Sequence, residues 1–389
     1  MKKLFLLASL TATVFFACKK NKIDNTLVTD ADKKEVILNH ANIVLASYED
    51  SYALVAALRT KIETFTAIPI AANFEECKTA WKASRVVYNQ TDAFRFSDGP
   101  IDDENGPEGT MNAWPMDENF IDYVEGDFTA GIINNPTGFP IINPEILESQ
   151  NENGGETNIA TGYHAIEFLL WGQDLSTTTA GQRPYTDYVT GAGGTNSNQA
   201  RRAMYLKAAV DLLAQNFEYL INKWKVGGAY RTKFTTQMPV DSALTSMVRS
   251  IGSLTKGELA GERMSVALTN KDQEDEHSCF SDNTHIDVQY NFIGIQNVYM
   301  GKYVRSNGQV VQGKSLSDLI SRKDAAKNNL VLAQFTDAKN KLFAIQPPFD
   351  QEIITPAGRE RVTAAINACR SLADKMADAA FALGVKISF

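Results

Sequence analysis

The residues of this chain best suited to chemistry are His164 and Glu167, in the string Gly162-Tyr163-His164-Ala165-Ile166-Glu167. Side chains three positions apart lie side by side on a helix, so this imidazole and carboxylate could share a metal ion or a proton. The same spacing also fits a packed histidine that is hydrogen-bonded to Glu167. It is neither the metalloprotease pattern His-Glu-x-x-His nor its inverted form, because Phe168 follows Glu167. A metal here therefore needs ligands from elsewhere in the chain.

Two glutamates on a later helix are the next candidates for metal ligands. Continued in steps of three and four, the inward face of a helix at 241–268 reaches Glu258 and Glu262. Burying an unpaired carboxylate is costly, so both are expected to meet a cation, an arginine or a water-filled cleft. Gly257 and Gly261 are expected to let another backbone approach closely. If the helix ends or kinks at a glycine, the two glutamates face solvent instead.

The segment 274–287 contains His277 and His285, two of the four histidines of the chain, together with five acids. Imidazole combined with carboxylate suits iron, zinc or manganese. A solvated run of charge is the open alternative. Two arginines, Arg85 and Arg95, could bind a carboxylate or an anionic substrate; pairing with Asp92 or Glu75 is the alternative.

The elements that must position these residues are helices. Steps of three and four predict one long amphipathic helix, and His40 on it is expected at a surface or an interface. Similar spacing predicts helices over 206–224 and 362–383, and others are expected at about 74–95, 159–171, 241–268, 286–304 and 322–343. No strand-like alternation is evident. The sequence therefore predicts an all-α chain, and the long helix has this seam: Ile37, Ala41, Val44, Tyr48, Ser51, Val55, Leu58, Ile62 and Phe65.

Two loop-rich stretches, 97–157 and 172–199, interrupt the helical pattern. A structureless loop as long as the second is uncommon inside one compact domain, so a domain boundary is expected near 185–198. The chain is accordingly divided into an N-terminal helical domain, 31–190, which carries His164 and Glu167, and a C-terminal helical bundle, 191–389.

The N-terminus has the pattern of an export signal. Lys2 and Lys3 precede an apolar run too short to span a bilayer, so residues 1–17 are expected to form a signal peptide. The end of the run, Phe-Phe-Ala-Cys at 15–18, resembles a bacterial lipoprotein signal in which Cys18 is lipidated. An ordinary signal peptide containing a cysteine is the alternative. Residues 18–30 would then be the lipidated cysteine and a tether, with the protein in the cell envelope, on the outer membrane facing the periplasm or on the cell surface.

The overall charge excludes one class of partner. With 38 Lys and Arg against 46 Asp and Glu, the formal net charge is −8. Nucleic-acid phosphates require clustered cations, so no nucleic-acid partner is expected. The 44% of hydrophobic residues suffices for sizeable cores, and four cysteines are too few for a disulfide-built scaffold.

The string Gly162-x-His164-x-x-Glu167, followed by Phe-Leu-Leu-Trp-Gly, resembles the signature of the imelysin family, which includes the insulin-cleaving membrane proteases and the iron-regulated imelysin-like proteins. Four further segments, at 81–96, 181–184, 257–264 and 276–285, resemble the same family in order along the chain. The resemblance implies two helical-bundle domains joined by long loops, with the His164–Glu167 helix near their interface. It also implies a periplasmic or surface protein connected with iron or other metal handling.

Three functions remain open. The first is a lipid-anchored protein that binds a metal, iron before zinc, for uptake or storage; His164 and Glu167 would be ligands, completed by Glu258 or Glu262 and by His277 or His285. The second is a metallopeptidase with Glu167 as general base to a metal-bound water, which requires three protein ligands and an open position. The third is a non-enzymatic module that binds a peptide, a glycan or a protein. Partners expected are the membrane, through the anchor, and metal-transport or other envelope proteins.

Overall fold

The computed structural model describes residues 27–389. The predicted signal peptide, the lipidation site Cys18 and most of the tether lie outside the described residues. No helix within 27–389 is long and apolar enough to cross a membrane. Cys77, Cys279 and Cys369 are buried free thiols in this part of the chain.

Helices dominate the structure, which confirms the all-α prediction. The helices of the N-terminal half are α1 (Asp30–Ala67), α2 (Ala71–Thr91), α3 (Glu108–Met111), α4 (Gly131–Asn134), α5 (Pro144–Gln150), α6 (Gly162–Trp171), α7 (Gln199–Trp224) and α8 (Ala229–Thr232). Those of the C-terminal half are α9 (Val240–Ser253), α10 (Ala267–Asn270), α11 (Thr284–Met300), α12 (Leu316–Lys323), α13 (Ala325–Leu342), α14 (Phe349–Ile354) and α15 (Pro356–Phe381). A π-helical segment, Leu254–Val266, joins α9 to α10.

The long helix α1 begins at a capping box. The Thr29 side chain accepts from the Asp32 amide at 3.2 Å, and the Asp32 carboxylate accepts from the Thr29 amide at 3.0 Å. All nine residues of the predicted seam are buried, which confirms the spacing argument. His40 is buried too, against Phe94, Trp224 and Phe234. The expectation of a surface position for His40 was wrong, because α1 is covered on more than the seam face; since Trp224 and Phe234 belong to the predicted C-terminal domain, an interface position stays a prediction.

Two groups of helices share one hydrophobic core. Helices α1, α2, α6 and α7 pack together, and α15 packs against α13, α14 and the π-helical segment. Helix α11 joins the groups, since it packs against both α2 and the π-helical segment. The motif helix α6 therefore lies close to elements of the C-terminal half. The division at 190 stays a prediction.

A short hairpin corrects the expectation that strands are lacking. The helix expected at 286–304 ends at Met300, where Gly301 adopts a φ of +61°. Strand β1 (Lys302–Val304) then pairs antiparallel with β2 (Val310–Gln312), with Tyr303 opposite Val311. Three residues are too few for an alternating pattern to stand out in a sequence.

Candidate functional site

The motif helix α6 starts at a glycine that nothing else could replace without strain. Gly162 has a φ of +82°, and a Cβ placed on it would lie 2.5 Å from the carbonyl oxygen of Met111. Every residue of α6 is buried. This glycine thus lets the helix begin directly against the loop that carries Asn112 and Trp114.

His164 and Glu167 form a fully buried pair on α6. Nδ1 of His164 lies 2.8 Å from Oε2 of Glu167, and Oε1 of Glu167 accepts from the amide of Ser281 at 3.0 Å and its hydroxyl at 2.6 Å. Burial raises the pKa of Glu167 to about 8, although the Ser281 bonds oppose the shift. Burial, and then the Arg85 guanidinium, hold the pKa of His164 well below its usual range.

The other imidazole nitrogen of His164 is left unpaired beside a second histidine. Nε2 is buried and has no hydrogen-bond partner among the described residues. A buried polar atom left unpaired is uncommon and calls for an explanation such as a ligand or an ion. Because the ring is neutral, this nitrogen can offer a lone pair when Nδ1 carries the proton.

A second histidine–carboxylate pair lies beside the first. Nδ1 of His277 is 2.7 Å from Oδ2 of Asp287, and Arg85 donates to the same carboxylate at 2.8 and 3.3 Å. The side-chain nitrogen of Asn112 lies 3.2 Å from His277 Nε2, and its oxygen accepts from Arg85 at 2.6 Å. Because the contact from Nδ1 to the Asp287 carboxylate is shorter than that from Nε2 to Asn112, we assign the ring proton of His277 to Nδ1. Nε2 then accepts a hydrogen bond from the Asn112 amide.

Charge compensation explains why this second pair can be buried. Burial opposes ionisation of Asp287, but Arg85 and His277 outweigh it and hold the pKa of Asp287 well below its usual range. Burial lowers the pKa of His277, so that ring is neutral as well. The predicted role of Arg85 in binding an anionic substrate does not fit this geometry, since the guanidinium is fully buried against Asp287. Its partner is neither of the acids named as alternatives.

The two pairs meet edge to face. The rings of His164 and His277 have centroids 4.9 Å apart, and the Trp114 ring is centred 5.0 Å from that of His164. Two neutral imidazoles, each held at Nδ1 by a carboxylate, thus come together from α6 and from the segment before α11. The two histidines come from two of the segments that resemble the imelysin family, the motif on α6 and the segment 276–285.

A cavity of about 580 Å³ adjoins this centre. His277, Asn112 and Trp114 line it, whereas His164 lies behind them. Acids outnumber arginines in its charged lining, which consists of Glu108, Glu152, Glu156, Glu258, Glu262, Asp275, Arg95 and Arg263. Arg95 pairs with Glu108 at 2.9 Å and Glu258 at 3.5 Å, so neither arginine predicted to bind an anion is without a partner.

Glu258 and Glu262 do not occupy the inward face predicted for them. Glu258 is half-buried and contacts Arg263 at 3.4 Å, while Glu262 is exposed at the cavity rim. The segment is π-helical, and its wider turn shifts which side chains point inward. The expected close backbone approach is also wrong, since a Cβ at Gly257 would meet nothing within 4 Å.

The remaining candidate, His285, stands apart from the cavity. It lies in the first turn of α11, and its buried Nδ1 has no partner within residues 27–389. Among the described residues, no three of the six predicted metal ligands bring their ligand atoms within 4.8 Å of one another. The structure therefore unites His164, Glu167 and His277, places Glu258 and Glu262 on the cavity wall and leaves His285 aside.

Sequence reasoning missed several partners at this centre. Ser281 lies inside the segment 276–285, so its position was flagged although its role was not. Asn112 sits in the loop-rich stretch 97–157, where no periodicity marks it. Asp287 was counted among the acids of 274–287, but its pairing with Arg85 spans two segments far apart in the chain.

A family model described as imelysin, peptidase family M75, matches residues 44–376. The chain belongs to the imelysin family. The match covers the motif helix, the cavity wall and the segment that carries His277, so the resemblance of the five segments is confirmed.

Known relatives agree with this assignment. Iron-regulated protein A of Synechococcus elongatus is 25% identical over 374 residues, which covers 94% of this chain and 88% of that protein. The crystal structure of an iron-regulated protein A precursor from Parabacteroides distasonis superposes with a TM-score of 0.71 at 20% identity, covering 91% of this chain and 96% of that one. An imelysin-like protein from Psychrobacter arcticum gives a TM-score of 0.65 at 11% identity, covering 93% and 99%. Both structures support the fold.

Proposed function

We propose that this imelysin-family protein binds iron outside the cytoplasm, for uptake or storage, with His164 as one imidazole ligand and His277 as the other once the metal displaces the Asn112 amide from its Nε2. The observation that carries the proposal is the buried, unpartnered Nε2 of His164 next to a second neutral imidazole. Both rings are kept uncharged by burial, which is the protonation state that a metal ligand requires.

The carboxylates have an orienting role in this proposal. Metal-binding histidines commonly donate their second ring N–H to a carboxylate, which fixes the tautomer and the ring orientation. Asp287 contacts Nδ1 of His277 in this manner, and Glu167 would do the same for His164 once a bound metal favours its ionised form. Since Oε1 of Glu167 is already bonded to Ser281, Glu167 supports His164 in the described conformation rather than offering a vacant ligand atom.

The cavity supplies the electrostatic part of the argument. Its wall carries six acids against two arginines, and a cleft lined mainly by one sign of charge concentrates ions of the opposite sign. Glu258 and Glu262 on that wall are oxygen donors for an incoming cation. Imidazole with carboxylate suits iron or zinc, and the name of the Synechococcus elongatus relative, iron-regulated protein A, is the reason for proposing iron.

The predicted envelope location belongs to the same proposal. A lipidated Cys18 would hold the protein at the outer membrane, where it could pass metal to transport proteins. Metabolic labelling with an alkyne fatty acid should mark the wild-type protein and fail to mark Cys18→Ser. Labelling of both proteins would contradict the anchor while leaving the metal site unaffected.

The metal site is tested by loading the purified mature protein with ferrous iron under anaerobic conditions and counting bound metal. The double variant His164→Ala plus Glu167→Ala removes the imidazole and its carboxylate together, so no orphaned charge stays buried. His40→Ala is the matched control, because His40 is also a buried, neutral histidine with an unpartnered ring nitrogen but has no carboxylate partner. We expect the control to retain iron and the double variant to lose it.

Equal iron content in the wild type and a folded double variant would refute this site. Cleavage of a peptide library that is abolished by the double mutation and by a chelator would instead support the metallopeptidase function. If neither iron binding nor cleavage occurs, the chain acts as a binding module for a peptide, glycan or protein.

A further inference from the structure

A second group of acids lies outside the histidine centre. Asp174, Asp282 and Asp350 each offer a carboxylate oxygen, and these atoms all lie within 4.8 Å of one another. Asp174 follows α6, Asp282 precedes α11, and Asp350 is in α14. Three distant segments thus bring like charges together, which is unfavourable unless something compensates them.

Compensation is lacking among the described residues. Both carboxylate oxygens of Asp350 and one of Asp174 are buried without a hydrogen-bond partner. Asp174 and Asp350 are each only 1% exposed to solvent. No lysine or arginine within residues 27–389 forms a salt bridge with Asp174, Asp282 or Asp350. Lys82 is close enough to lower the pKa of Asp282, but burial and the Asp350 charge outweigh it and raise that pKa to about 6.

Glu276 is an independent sign that a ligand belongs here. It is fully buried, and neither of its carboxylate oxygens has a hydrogen-bond donor. The Asp350 carboxyl group lies against that of Glu276. An unpaired carboxylate is among the most costly groups to bury, and at Glu276 the nearby Thr284 hydroxyl offsets only part of that cost.

We propose that Asp174, Asp282 and Asp350 bind a calcium ion beside the buried Glu276, at a site separate from the iron-binding histidine centre. Calcium takes carboxylate oxygens at about 2.3–2.6 Å, so two oxygens on opposite sides of one ion can be up to about 5 Å apart. The three aspartate oxygens lie within 4.8 Å of one another, which fits within that span. The donors are all oxygen, which suits calcium better than a transition metal.

A calcium ion could reach this site from solvent, and its binding would link two parts of the chain. A surface cavity of about 330 Å³ is lined by Asp174 and Asp350 together with Asp272 and Glu274. The bound ion would join the loop after α6 to α14, which already touch through a 2.6 Å hydrogen bond from Gln351 to the carbonyl of Thr177. Calcium would therefore hold the segment after the motif helix against the C-terminal half.

The test is calorimetric titration of metal-free, full-length mature protein with calcium chloride up to about 10 mM, above the affinity range of extracellular calcium modules, together with thermal unfolding. The wild type should bind one calcium and unfold at a higher temperature when calcium is present. Asp174→Asn plus Asp350→Asn should lose at least the roughly 10- to 100-fold in affinity seen even for outer-shell substitutions. Asp98→Asn, at an exposed aspartate, is the matched control.

The variants also keep the test clear of misfolding and of the iron site. Replacing unpaired buried carboxylates with isosteric amides should leave the metal-free fold intact or stabilise it, which its unfolding curve reports directly. His164→Ala plus Glu167→Ala should still bind calcium, so loss of the iron site and loss of the calcium site are separable. Absence of calcium binding in the wild type, or binding that the aspartate variants leave unchanged, would overturn the proposal.

Discussion

The segment 276–287 supplies charged side chains to two buried centres that are built in opposite ways. On one side, His277 and Asp287 are matched by Arg85, Asn112 and further donors. On the other, Glu276 and Asp282 meet Asp174 and Asp350 without a basic side chain in contact among the described residues. The first centre is stable as it stands and offers one unpartnered nitrogen, whereas the second requires a cation or bound protons.

The largest effect should come from removing the compensating charge of the first centre. Arg85→Met leaves Asp287 buried and unpaired, and breaking a buried pair from one side destabilises a protein by about 3–5 kcal/mol. Urea unfolding followed by circular dichroism should show this loss. Arg249→Met, in an exposed pair with Asp98, should change the free energy of unfolding by about 0–1 kcal/mol; similar losses in both variants would show that Arg85 has no special role.

A smaller loss is expected at Ser281. Ser281→Ala removes the 2.6 Å hydroxyl bond to Glu167 but keeps the backbone amide bond. Because the amide still satisfies Oε1, the loss is that of one hydrogen bond, which typically decreases the free energy of unfolding by about 0.5–1.5 kcal/mol. Ser149→Ala, at an exposed serine, serves as control in the same urea titration, and an unchanged midpoint for Ser281→Ala would mean that the hydroxyl does not support Glu167.

In the second centre, removing a charged side chain should increase the free energy of unfolding instead of decreasing it. Asp350→Asn removes one of several repelling charges without changing shape, and like charges near a protein surface repel by on the order of 1–3 kcal/mol at such distances. The metal-free protein should therefore gain stability, while calcium should stabilise the variant less than the wild type. A loss of stability in the metal-free variant would show that Asp350 has a favourable partner and that the contrast between the centres is mistaken.

The first centre should also make the stability of the protein depend on pH. Glu167 titrates at about 8 in the folded protein against an ordinary 4.5, so between these values the folded state holds a proton that the unfolded chain has released. The free energy of unfolding should decrease as pH rises through this window and level off above it. Glu167→Gln should remove this part of the slope, measured by urea midpoints from about pH 5 to about pH 9.

In the second centre, burial raises the pKa of Asp174 from 3.8 to about 7. The free energy of unfolding should therefore decrease further as pH rises through this range. Asp174→Asn should remove that part, and calcium should suppress it in the wild type by binding the ionised carboxylate. A slope that neither substitution changes would contradict both assignments.

The sequence predicted the helices best where a single face is buried. The nine seam residues of α1 follow one spacing and are all buried. The same reasoning misplaced Glu262, because a π-helical turn at 254–266 changes the spacing without any mark in the residue types. His40 was misplaced for a different reason: burial on a second face depends on how α7 and the segment after α8 pack against α1.

The candidate site was predicted in part. His164, Glu167 and His277 were recognisable from residue type and local spacing, and the structure brings them together. Asp350 had no local signal, since a lone aspartate at the start of a short helix is common. Its significance arises only when α14 packs near the loop after α6, a contact between positions 174 and 350 that periodicity does not encode.

The most direct test of the iron-binding proposal is X-ray absorption at the iron edge on the loaded protein, because it reports which atoms surround the metal. We predict a shell containing imidazole nitrogen, which decreases in His164→Ala plus Glu167→Ala and is unchanged in Asp174→Asn plus Asp350→Asn. An all-oxygen shell that is lost in the aspartate variant instead would place iron in the second centre and contradict the assignment of His164 and His277.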